Sequence, residues 1–320
     1  MIEGISRLLP VVLGAAILLA HGSLAGAQEG DGLEELKLPG ISGYASPGHE
    51  APLAIGGGEV TLSAQLTEQG ADITRGMVWR IFRPNADQSG KLPLVASAHG
   101  GTAKFDLEPG SYLVHAAYGR AGATKRITVG REPRRETLVL DAGGLELDAV
   151  LSGGVRIPRD KLRFSIYDGP TTAGDDGTLI IPNVRPNSVV RLNAGTYHVV
   201  STYGGVNAVI RSDIRVEAGK LTEATVEHRA AQITLKLVRE TGGEAIADTS
   251  WSVLTESGDP IKETVGAFAP MVLAEGDYIV VAKNRDRIYQ REFSVEAGKS
   301  EEVEVIATED TAIDPQEGAD

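Results

Sequence analysis

With 320 residues, 42% of them hydrophobic but only 5% aromatic, and with 39 Gly and 15 Pro, the chain suits several small, turn-rich units better than one large core. A formal net charge of -13 repels nucleic acid and anionic lipid, which sets nucleic acid aside as a partner. The chain contains no cysteine, which excludes disulfides, thiol catalysis and a lipid anchor on cysteine, so stability must come from apolar burial.

Residues 1–27 place Arg7 before an apolar run from Leu8 to Ala20, with small residues Ala25 and Ala27 just ahead of Gln28. This pattern predicts a signal peptide that is removed, because the apolar run falls short of the roughly 20 residues that span a bilayer. The mature chain is then expected to lack a transmembrane span and to reach the periplasm, or alternatively to be secreted. Residues 28–58, punctuated by "LPG", "SPG" and "GGG", read as a flexible leader or linker.

From Glu59 onward, apolar and polar residues alternate in short runs such as "VTLSAQL" (Val60 to Leu66), "MVWRIF" (Met77 to Phe82) and "AKFDL" (Ala103 to Leu107), with no helix-period stripe. One phrase then comes three times: "LEPGSYLVHAAYG" from Leu107, "LNAGTYHVVSTYG" from Leu192 and "LAEGDYIVVAKNR" from Leu273. It sets Tyr112, Tyr197 and Tyr278 in register, 85 and 81 residues apart. An aromatic in an early strand, Trp79, Phe164 or Trp251, precedes each tyrosine by 33, 33 or 27 residues, and turns at Gly130, Gly219 and Gly298 close each copy. The period predicts an all-β chain of three tandem β-sandwiches over 59–142, 143–229 and 230–308, followed by an acidic, disordered tail over 309–320.

Within each copy, Gly110, Gly195 or Gly276 is expected to turn the chain with positive φ. Each tyrosine ring is expected to pack against the early-strand aromatic while its hydroxyl finds a backbone partner. The pattern L-x-P-G-x-Y-x-V-x-A, followed by a turn and V-x-V-x-x-G, resembles the final strands of bacterial immunoglobulin-like and prealbumin-like sandwiches, including carboxypeptidase regulatory-like and collagen-adhesin B-type repeats. That resemblance implies binding, spacing or adhesion. Collagen-adhesin B-type repeats often carry a Lys–Asn isopeptide bond; "VTLSAQL" has no lysine and "EEVEVIA" (Glu301 to Ala307) no asparagine, so no such crosslink is expected here.

Catalytic signals are sparse. No G-x-S-x-G elbow follows the signal segment, and His49, His99, His115, His198 and His228 form neither an H-E-x-x-H motif nor a close pair. No catalytic residue, metal or cofactor is therefore expected. His115 and His198 are expected on the strand face opposite the tyrosines, toward solvent. Asp168, Asp175 and Asp176 fit a tight turn better than a calcium loop. The exception to this plainness is a set of cations in the hairpins after the repeated phrase. Arg120, Lys125, Arg126, Arg131, Arg134 and Arg135 lie in the first copy, and Lys283, Arg285, Arg287 and Arg291 in the third. Such a set either protects edge strands or forms a surface for an envelope protein or an anionic glycan. The expected function is that of an exported, non-catalytic binding or spacer protein of the bacterial cell envelope. The alternative is a polysaccharide- or lipopolysaccharide-binding accessory protein of an envelope enzyme or transport system.

Overall fold

Apolar residues at every second position are buried by a pleated strand on one face, and the computed structural model of this chain, which describes residues 44–45, 57–169, 177–308 and 312–313, is built of such strands. The first set comprises β1 (Tyr44–Ala45), β2 (Gly58–Gln65), β3 (Met77–Phe82), β4 (Leu92–Gly100), β5 (Ala103–Leu107), β6 (Gly110–Tyr118), β7 (Ala121–Val129) and β8 (Arg134–Val139). The second comprises β9 (Ala142–Leu151), β10 (Val155–Arg156), β11 (Leu162–Asp168), β12 (Thr178–Val184), β13 (Val190–Asn193), β14 (Gly195–Tyr203), β15 (Val209–Val216) and β16 (Leu221–His228). The third comprises β17 (Ala230–Val238), β18 (Thr249–Thr255), β19 (Pro260–Val265), β20 (Phe268–Ala274), β21 (Gly276–Asn284), β22 (Arg287–Val295), β23 (Glu301–Ile306) and β24 (Ala312–Ile313).

The three sets share one topology. In each, the opening strand lies between an antiparallel neighbour and the closing strand, to which it runs parallel, giving β5-β2-β8, β13-β9-β16 and β20-β17-β23. The facing sheets are β4-β3-β6-β7, β12-β11-β14-β15 and β19-β18-β21-β22, and β10 adds a short pairing to β9. The chain is thus three tandem immunoglobulin-like or prealbumin-like β-sandwiches. Each pair of sheets closes on its own core, centred on Trp79 in the first, Phe164 in the second and Trp251 in the third. Each buried Leu, Ile or Val in these cores contributes about 2 kcal/mol.

Connections between the sandwiches are very short. Only Leu140 and Asp141 separate β8 from β9, and only Arg229 separates β16 from β17. Two short strands close open edges: β1 runs parallel to β4, and β24 runs antiparallel to β22. Apart from these two dipeptides and from Gly57 and Gly58, the expected signal peptide, leader and acidic tail lie outside the described residues, as do Asp175 and Asp176. Among the described residues, no helix is long and apolar enough to cross a membrane.

Two local expectations are corrected by this geometry. Of the three repeated glycines, only Gly276 has a positive φ, 150°, whereas Gly110 and Gly195 open β6 and β14 outside the left-handed region. A methyl group on any of the three would stand 3.8 to 4.0 Å from the following tyrosine ring, an ordinary contact. The tyrosines share a core with the early aromatics but do not stand across the strand pair from them. The register sets Trp79 opposite Ala116, Phe164 opposite Ser201 and Trp251 opposite Ala282, each four residues beyond the tyrosine, or about 13 Å along the strand. Small residues at those positions leave room for the large ring, while Tyr278 stacks on Phe293 at 5.7 Å.

Candidate functional site at the repeat junctions

Each repeated tyrosine closes a bend at the start of its strand. Tyr112, Tyr197 and Tyr278 are buried and donate from the hydroxyl to the carbonyls of Glu108, Asn193 and Ala274, four residues earlier, at 2.9, 2.9 and 2.8 Å. A phenol buried without such a partner would lose its hydration uncompensated. Burial also pushes all three hydroxyls above the usual tyrosine range.

The bend of one sandwich receives the hairpin tip of the sandwich before it. Gly119 and Gly204, seven residues after their tyrosines, take φ of 65° and 73° and seat against Arg191 and Val272, each six residues before the next tyrosine. A methyl group on Gly204 would stand 2.6 Å from Val272 Cβ, and one on Gly119 would stand 3.0 Å from Arg191 Cβ, so only glycine permits the approach. One asparagine then locks each junction. Asn193 donates from Nδ2 to Gly122 O at 3.1 Å and to Leu140 O at 2.7 Å, and its Oδ1 accepts from Gly122 N at 3.1 Å. At the second junction the asparagine comes from the other side: Asn207 donates to the Tyr278 hydroxyl at 2.9 Å and accepts from Ala274 N at 3.0 Å. The Arg191 guanidinium stacks 4.4 Å over Tyr118, and Arg120 N donates to Arg191 O at 3.0 Å. Of these residues, sequence reasoning singled out only Tyr278 and Arg120. The signal was nevertheless present, since Gly119 and Gly204 end the first two copies of the repeated phrase.

The hairpin cations do not converge. Lys125 in β7 and Arg134 in β8 both bind the buried Glu136, Lys125 at 2.7 Å, and their hydrogen bonds hold its carboxyl below the usual carboxylate range. Arg131 lines an open depression of about 470 Å³ with Glu59, Lys104 and Asp106, where the charges alternate. Arg126 pairs with Leu113 in one sheet and Arg135 with Thr61 in the other, so these two exposed cations stand on opposite outer faces of the first sandwich. In the third sandwich, Lys283, Arg285 and Arg287 crowd an exposed tip, with Arg285 at φ of 57°, while Arg291 donates to Glu304 O.

His115, His198 and His228 are buried, which corrects the expectation that His115 and His198 face solvent. Both lie on central strands, where cross-strand neighbours on each side cover the ring: Arg80 and Thr124 flank His115, and Tyr167 and Asp213 flank His198. His115 Nδ1 meets Thr124 Oγ1 at 2.9 Å, and His198 Nδ1 meets Asp213 Oδ1 at 2.7 Å. His228 shares a 2.7 Å hydrogen bond with Ser201 inside the second sandwich. Desolvation lowers His115 and His228 to about 4, so both are neutral at physiological pH. Among the described residues, no group of three or more His, Asp or Glu is placed to hold a metal ion.

Residues 232–307, most of the third sandwich, match the family described as the Rhizobiales growth-associated tandem repeat domain. No curated protein matches the chain in sequence. Among solved structures, the chain is similar to the Bacillus anthracis TIE protein at 16% identity and a TM-score of 0.25, covering 79% of this chain and 50% of that one. It thus spans half the length of that protein. It is also similar to GBS52, the minor pilin of Streptococcus agalactiae, at 15% identity and a TM-score of 0.31, covering 53% of this chain and 95% of the pilin. A streptococcal ancillary pilin is similar at 12% identity and a TM-score of 0.28, covering 78% and 99%. At these TM-scores the likenesses carry no argument, and the fold rests on the strand pairing described above.

Proposed function

We propose that this chain is an exported, non-catalytic repeat protein of the bacterial envelope. Its sandwiches over 59–142, 143–229 and 230–308 act as modules holding two points at a set separation. The observation that carries this reading is the junction built twice: a tip glycine seated on the next module, one bridging asparagine, and a connection of two residues or one. Connections this short leave little backbone freedom. The growth-associated description of the family matched by residues 232–307 supports a role in a growing envelope. Export rests on the pattern of residues 1–27.

The alternative, an accessory protein that binds polysaccharide or lipopolysaccharide, draws less support. Lys125 and Arg134 are engaged by Glu136, and Arg126 and Arg135 stand on opposite faces. The absence of native cysteine permits a direct test of the spacer reading. Spin labels on Lys91→Cys and Ser257→Cys should give a narrow distance distribution by pulsed electron resonance. Adding Asn193→Ala and Asn207→Ala should broaden it. A broad, many-peaked distribution in the parent chain would sink the proposal.

A further inference from the structure

We infer that the cationic hairpin tip of the third sandwich, at Arg285, docks on the opening face of the first sandwich of a second copy, at Asp106, so that copies of this chain associate head to tail. The two internal junctions give the template. Each joins a tip residue seven positions after one tyrosine, Gly119 or Gly204, to a seat residue six positions before the next, Arg191 or Val272. The same count leaves one tip and one seat without a counterpart among the described residues. The tip is Arg285, seven residues after Tyr278, and the seat is Asp106, six residues before Tyr112. Both keep the backbone of the internal junctions. Arg285 takes a φ of 57°, beside 65° and 73° at Gly119 and Gly204. Asp106 pairs with Glu59 in the opening strand, as Arg191 pairs with Gly144 and Val272 with Gln232.

The two ends carry complementary charge. The seat is an open depression of about 470 Å³ whose charged lining is Glu59, Lys104, Asp106 and Arg131. Lys104 neutralises Glu59 at 3.1 Å, whereas Asp106 is exposed and forms no ion pair with any described residue. At the tip, Lys283, Arg285 and Arg287 are exposed, form no ion pair with any described residue, and have only Asp286 among them. A tip with a Cβ cannot approach its seat as the glycines do, because a methyl group there meets Arg191 Cβ at 3.0 Å or Val272 Cβ at 2.6 Å. No peptide link forces two separate copies that close. The junction between copies therefore stands farther apart, and the long guanidinium side chain spans the gap to the carboxylate.

In a chain of net charge -13, opposite charges at two exposed ends orient encounters between copies end to end. The contact joins two different surfaces, so a third copy can add to the second. Exposed ion pairs contribute little singly, which makes the association weak and salt-dependent. Such joining does not depend on the spacer role proposed above. The test again uses the absence of native cysteine. Two variants of the chain from Gln28 onward, the form left by the expected signal cleavage, are mixed at low ionic strength: one carries Asp286→Cys at the tip, the other Lys104→Cys beside the seat. A disulfide-linked pair should form, and exchanging Asp286→Cys for Ser257→Cys, or raising salt to about 0.5 M, should slow it roughly fivefold. Arg285→Gly should slow it to a similar degree, and Arg131→Ala, which removes a cation competing for Asp106, should speed it. Arg285→Asp in one chain should be rescued by Asp106→Arg in the other, since aspartate tolerates a left-handed φ. Crosslinking no faster than with Ser257→Cys, crosslinking unchanged or faster with Arg285→Gly, or no rescue between well-folded partners overturns the inference. Thermal unfolding checks each fold; where Asp106→Arg is unstable, Arg285→Gly, which relieves the left-handed arginine, decides alone.

Discussion

Ser201 and His228 show how a single pair can set one repeat apart from its neighbours. The positions equivalent to Ser201 are Ala116 and Ala282, both buried and apolar, and the first sandwich places Leu140 where the second has His228. The second sandwich thus encloses a hydrogen-bonded polar pair where the first encloses an apolar one. Burial holds His228, like His115, at about 4 in the fold, against an ordinary value of 6.5. The unfolded chain therefore takes up protons that the fold refuses as pH falls from 6.5 toward 4. Stability is complete above pH 6.5 and declines through that window as pH falls. Thermal unfolding at pH 7 and pH 4.5 should show a clear drop in midpoint. Ser201→Ala combined with His228→Leu should remove part of that drop, and an unchanged pH profile in the double variant would contradict the assignment. The tyrosine positions were legible at this scale because one residue repeated three times in one phrase. The burial of His115 and His198 was not legible, because alternation tells which face a side chain takes but not how completely its neighbours cover that face.

At the scale of elements, the open edge between β7 and β8 depends on a carboxylate. Glu136 is buried and held charged by Lys125 and Arg134 from two different strands. Removing one partner of a buried, hydrogen-bonded charge leaves the other uncompensated, which costs more than the pair itself contributes. Lys125→Ala should cost about 2 kcal/mol in urea unfolding, and Glu136→Leu, which removes the buried charge, should cost less than that. The reverse order would show that the cluster acts through packing alone. The strands themselves were readable from period-two alternation, and so was their division into three sets. The roles of the cations were not, because two residues 11 apart in sequence, Lys125 and Glu136, meet only when the two sheets close on each other.

For the chain as a whole, the decisive contacts are those between one sandwich and the next. In tandem arrays, neighbouring interfaces add directly to repeat stability. Gly204→Ala, at φ of 73° and with a methyl group 2.6 Å from Val272 Cβ, should therefore lower stability by about 2 kcal/mol and separate unfolding into two steps. Gly205→Ala meets nothing within 4 Å and should change little, which makes it the matched control in the same calorimetric scan. Equal effects from both substitutions would show that the tip does not couple the modules.

By itself the amino-acid sequence determined the all-β class, the threefold repeat and the position of each tyrosine, because alternation and periodicity are local and survive without knowledge of what packs on what. Only the tertiary structure decided that the tyrosine bends receive the preceding hairpin tips, that one asparagine bridges each junction from alternate sides, and that Lys125 and Arg134 of the basic hairpins are engaged by Glu136. Those facts depend on approaches of a few ångströms between residues about 70 positions apart, and a repeat period tells that modules recur but not which of their residues touch.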